Sequence, residues 1–187
     1  MQSSEAARAH RRQLLRNYAT LVAPEDDFPL RRFSHRFNPP TKAVGYDKSA
    51  MVFHMLRQAI GDQAFWDGLQ YLYHTRLHQA ANWKDLQDAF EHAHGRGLSW
   101  YFHQWLERPG GPSLAFEDIR VRPVPSNGYV VSGVLRQKAP VYRLQVPIVL
   151  ASTSASTSEV LDLRGGSAPF QMHIDGRPAD PDLLAAV

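Results

Sequence analysis

Cysteine is absent from this chain of 187 residues, which excludes a disulfide scaffold and a thiolate metal site. Long apolar runs are also missing, and none approaches the roughly 20 residues of a membrane span. Residues 1–16 carry arginines with no apolar stretch behind them, so they do not read as a secretory signal. Charge of one sign is scarce too. The formal net charge is +3 with nine histidines counted as neutral. Arg8, Arg11, Arg12 and Arg16 recur along one early helix, but no stacking aromatics are interleaved with them. They read as a solvated face, and no nucleic-acid partner is expected. Gly-x-Ser-x-Gly, a phosphate loop and a dinucleotide fingerprint do not occur, nor does His-Glu-x-x-His. What is present is globular: 43% hydrophobic and 21% charged residues, enough for one domain or two small ones.

The chain changes period near Pro109. Before it, apolar residues recur at helical spacing; after it, they alternate or run in short β-branched blocks. A first helix is expected from Ser3 or Ser4 to about Leu21, with Ala7, Leu14, Leu15, Tyr18 and Leu21 on its apolar side. Residues 24–41 read as an extended connection, because Pro29, Pro39 and Pro40 disfavour helix at and before themselves. Phe28, Leu30, Phe33 and Phe37 suggest that this stretch lies against a surface. Further helices are expected over about 47–59, from an Asp62 cap through Leu77, from an Asn82 cap to Gly95 or Gly97, and from Ser99 to Leu106. Pro109-Gly110-Gly111-Pro112 ends the helical half. Strands are expected over about 113–122, 129–136, 143–151, 159–163 and 170–174, with a hairpin turn at Asn127-Gly128 and a loop over 152–158. The fold class is therefore α+β: a helical subdomain over residues 1–108 followed by a small antiparallel β-sandwich over 112–187.

His74 and His78, at i and i+4 on an expected helix, are spaced as zinc ligands are. Thr75 stands where the general-base glutamate of a His-Glu-x-x-His helix would be. His92 and His94 are two apart and do not share a face. His54 and His103 lie among apolar helix residues, where a hydrogen-bonded interior imidazole is the default. No metal ligands are expected in this chain.

The most specific pattern is Gly45-Tyr46-Asp47-Lys48-Ser49, followed by Met51-x-x-x-Met55-Leu56 and Gly61-Asp62-x-x-Phe65. With Asp85-Leu86-x-x-Ala89-Phe90-Glu91 and Trp105-x4-Gly110-x-Pro112-x-Leu114, it resembles the downstream part of the aminopeptidase N type of zinc peptidase, the gluzincin family. The resemblance runs over about residues 10–187. Ser49 departs from it, since glycine is commoner there, and a serine is tolerable if the backbone is helical. In that family a third zinc ligand is a glutamate nineteen positions after the second histidine, here Gly97, which further weakens His74 and His78 as a substitute.

The resemblance implies that Tyr46 is catalytic, donating its hydroxyl to the oxyanion of the tetrahedral intermediate. It implies zinc in a full-length parent but not in this chain, because the metal ligands and general base would lie upstream. It implies a peptide substrate for that parent, and a missing upstream catalytic subdomain as the partner of this chain. Tyr46 should then face a concavity open to that subdomain, with Lys48 at the same rim or bracing the loop. The implied reaction is release of N-terminal residues from peptides, with the chain inactive alone. The alternative is a non-catalytic module that binds a protein or peptide, whose corresponding surface would be covered by polar side chains.

Overall fold

The computed structural model describes residues 4–125 and 128–178. It divides into two compact units, Met1–Gly110 and Gly111–Val187. The first is helical and the second is built of antiparallel strands in two small sheets, an α+β architecture.

In the helical unit, α1 spans Ser4–Leu21. Ala7, Leu14 and Tyr18 are half-buried on its inner side, whereas Leu15 and Leu21, expected there too, are exposed. A cap at Ser3 lies outside the described residues. The connection that follows carries a single 3-10 turn, Leu30–Arg32, which buries Leu30. It ends earlier than the prolines suggest, because helix resumes at Pro39 as α2, Pro39–Lys42. Asn38 caps it: its side chain accepts from the Thr41 N–H at 2.9 Å, and Thr41 Oγ1 accepts from the Asn38 N–H at 3.0 Å. Proline at the first helical positions gives up an N–H that has no partner there, and its fixed φ suits the turn.

From α2 the backbone runs without a break into a π-helical segment, Ala43–Lys48, and then into α3, Ser49–Ile60. The helix expected to start near Asp47 therefore begins eight residues earlier. Gly61, at φ 86°, ends α3 and admits α4, Asp62–Arg76. Asp62 makes no cap; it instead takes two hydrogen bonds from Arg57, each at 2.7 Å. The Asn82 side chain caps α5, Trp83–His94, and Gly95 closes it in the left-handed conformation, both as the sequence indicates. The last helix, α6, spans Ser99–Leu106 and buries Tyr101, Phe102, Trp105 and Leu106.

In the second unit β1 (Leu114–Val124), β2 (Gly128–Gln137) and β5 (Ser167–Asp175) form one sheet in the order β1-β2-β5. The strands β3 (Leu144–Ala151) and β4 (Ser156–Leu163) form the other. All pairs are antiparallel. Burial alternates along β3 and β5, so Leu144, Val146, Ile148 and Leu150 face inward on one and Phe170, Met172 and Ile174 on the other. The expected loop over 152–158 is shorter, since β4 already begins at Ser156. Asn127 of the expected hairpin turn lies outside the described residues.

Candidate functional site

Tyr46 sits in the π-helical segment and is 53% exposed. The two residues after it, Asp47 and Lys48, are each 6% exposed. Both are charged groups withdrawn from solvent. A π turn is a rare distortion of a helix and needs support from outside the segment. Three residues supply it, Phe33, Asn17 and Ser49. The ring of Phe33 meets the Tyr46 ring edge-on at 5.6 Å. It also fills the space where a side chain at residue 45 would stand, so a Cβ on Gly45 would fall inside that ring. Asn17 of α1 donates through Nδ2 to Asp47 Oδ2 at 3.0 Å. Ser49 Oγ donates to the Gly45 carbonyl at 2.6 Å, so a serine at this position fits the helical backbone.

Lys48 points inward. Its Nζ lies 3.9 Å from Asp27 Oδ1 and 5.4 Å from the centre of the Tyr18 ring. Burial pushes its pKa below the usual 10.5, while the Asp27 charge acts in the opposite direction. Asp27 is a node. It accepts from the Tyr18 hydroxyl at 2.6 Å, from the Phe28 N–H at 2.9 Å and from the Gly110 N–H. Lys48 therefore braces the segment from within and does not stand at a rim. An open concavity of about 510 Å³ lies alongside, lined by Leu21, Arg36, Phe37, Lys42 and Asp47 among others. Tyr46 is not in its wall.

Asn17, Tyr18, Asp27 and Phe33 carried no signal as site residues in the sequence. Asp27 ends a Glu-Asp-Asp run that looks like solvated surface, and only the fold shows its side chain to be 8% exposed.

The histidines do not assemble. α4 stops at Arg76, and His78 lies beyond it at φ 60°, so His74 and His78 do not share a helix face. The ring of His92 stacks on Tyr71 at 4.1 Å. His103 is exposed, not interior, and His54 is half-buried. Among the described residues, no group of three or more His, Asp or Glu is placed to hold a metal. The residues described therefore do not fit a zinc ion.

Residues 36–105 match the peptidase family M1 domain. Over 77 residues the chain is 35% identical to aminopeptidase N of Lactococcus lactis subsp. lactis, which covers 41% of this chain and 9% of that protein. Over 70 residues it is 33% identical to aminopeptidase N of Lactobacillus helveticus, covering 37% of this chain and 8% of the relative. The chain thus spans about a tenth of the length of these relatives. The crystal structure of Legionella pneumophila aminopeptidase A in complex with aspartic acid shares the fold over 75% of this chain and 16% of its own. The TM-score is 0.53 at 21% identity. The stretch that carries Tyr46 is accordingly aminopeptidase N-like and similar to part of the peptidase family M1 domain.

Proposed function

We propose that Tyr46 is the oxyanion donor of a zinc-dependent aminopeptidase that releases N-terminal residues from peptides. In this reading the metal, the general base and the amine-binding groups stand on residues other than those described here. The observation that carries it is an exposed tyrosine on a braced π turn within the stretch that matches the M1 domain. When water adds to a scissile carbonyl, negative charge gathers on the carbonyl oxygen. A fixed hydroxyl aimed at that oxygen stabilises the transition state more than the ground state. Removing one such donor typically lowers the rate by about 10²–10³. No step is assigned to a metal within this chain.

The surface supports this reading over a self-contained interaction module. A module would present polar side chains around Tyr46, whereas Phe37 is 73% exposed on the same stretch and Leu21 of α1 is 43% exposed.

The test replaces the matching segment of Lactococcus lactis aminopeptidase N with residues 36–105 of this chain, with bound zinc measured as the control for folding. Tyr46→Phe in that chimera should lower kcat by about 10²-fold and leave KM little changed. A kcat within about twofold of the unmodified chimera would reduce Tyr46 to a structural tyrosine. Alone, the 187-residue chain should turn over an aminoacyl-p-nitroanilide with added zinc no faster than the blank. Zinc-dependent turnover that His74→Ala abolishes would overturn that expectation.

A further inference from the structure

We infer that Asp27 and Lys48 are positioning residues for Tyr46: their buried ion pair holds the π turn in the form that presents the tyrosine. This rests on the reading of Tyr46 as the reacting hydroxyl and adds the means by which its direction is set.

Two observations meet here. Two buried charged residues, Asp47 and Lys48, directly follow the exposed tyrosine. Both are gripped from consecutive positions of α1, Asp47 by the Asn17 amide and Lys48 through the ring of Tyr18. Asp27 is held in turn by three donors, the Tyr18 hydroxyl and the N–H groups of Phe28 and Gly110, so its carboxylate is fixed before it meets Lys48. Lys48 Nζ has no hydrogen-bond partner among the described residues, and Asp27 at 3.9 Å is its counter-charge.

Stability gives little reason to keep such a pair. Desolvation offsets most of the attraction of buried ions, and apolar residues of equal volume often serve as well or better. Direction does give a reason. A π turn that relaxes to α geometry shifts register by one residue, which would swing Tyr46 by about 100° relative to α3. An ammonium anchored on an immobile carboxylate two positions after Tyr46 opposes that swing.

The test uses the whole chain with its seven tyrosines labelled at 13Cε, each NMR signal assigned by a Tyr→Phe substitution. Lys48→Met keeps an unbranched side chain, one atom shorter, and removes its charge. The double variant Asp27→Asn/Lys48→Met removes both charges and leaves an amide oxygen for Tyr18 and Gly110, so it remains folded if the single variant does not. The Tyr46 signal should move by more than its linewidth, or split, in a folded variant, while Tyr73 and Tyr129 stay in place. A Tyr46 signal unchanged in a folded variant overturns the inference. So do equal shifts at all seven tyrosines, or failure of both variants to fold, because the pair would then serve the unit as a whole. The two readings fail separately: an active Tyr46→Phe chimera removes the catalytic role of Tyr46, and an unmoved signal removes only the positioning role of Asp27 and Lys48.

Discussion

The two units bury different chemistry. The strands bury aliphatic and aromatic side chains in regular alternation, and their one buried polar side chain among the described residues is the neutral Gln137. That amide is fully employed, donating to the carbonyls of Tyr142 and Gly165 and accepting from the Tyr142 N–H. The helices bury Asp47, Lys48 and Gln104, and they add a π segment that no packing rule demands. They also leave large rings in solvent, with Phe37, Tyr46, Trp66 and Tyr73 each at least 50% exposed. A unit that only has to fold can minimise charge and strain. Where both are kept and concentrated around one exposed side chain, that side chain is the place to look for function.

The largest expected effect separates the units most sharply. Asp27→Ala strands the Lys48 charge in the interior and should cost about 3–5 kcal/mol. Urea unfolding followed by tryptophan emission measures it, because all four tryptophans lie before Gly110. A loss under about 1 kcal/mol would place Asp27 among ordinary surface ion pairs. Next, Leu135→Ala in the middle strand β2, where the side chain is 0% exposed, should cost about 3 kcal/mol by cavity formation. Faster amide exchange across the β2–β5 ladder reads it. A cost near about 0.5 kcal/mol would mean that the strands are not held by their packing.

Asn82→Ala should cost about 1 kcal/mol by removing the α5 cap, and Asn82→Asp should restore most of it, as followed by thermal unfolding in circular dichroism. The smallest effect concerns His54. Burial, with the charges of Arg11 and Arg57 adding to it, lowers its pKa in the folded chain below the ordinary 6.5. The unfolded chain therefore takes up the proton first. Stability should be level above about pH 6.5 and fall as the pH drops through that value, and His54→Gln should flatten the curve.

Much of this was legible in the sequence because local chemistry decides it. Asn82 and Gly95 bracket α5 by cap and left-handed turn, and the alternation in Val146, Ile148 and Leu150 marks a strand with one face inward. Other features have no local signature. Residues 43–48 contain nothing that separates a π turn from an α turn; the choice depends on Phe33, Asn17 and Asp27, which approach from elsewhere in the chain. Pro39-Pro40 misled because the same ring that breaks a helix interior starts a helix well, and only the Asn38–Thr41 bonds distinguish the two. His78 fell off the expected face because α4 stops two residues before it.

The bond from Gly110 to Asp27 has a consequence in time. Asp27 finds Tyr18 nine residues away but Gly110 eighty-three residues away. Closing the longer loop costs about 2 kcal/mol more chain entropy than closing the shorter one. The near half of the node can therefore form early, and the far half must wait for the helices between. During synthesis the donor at Gly110 does not exist until the whole helical unit has been made, so the pocket that holds Lys48 is among the last parts of that unit to set. A nascent or clipped chain ending short of Gly110 would carry every residue of the Tyr46 segment and still lack the bond that locks Asp27 in place.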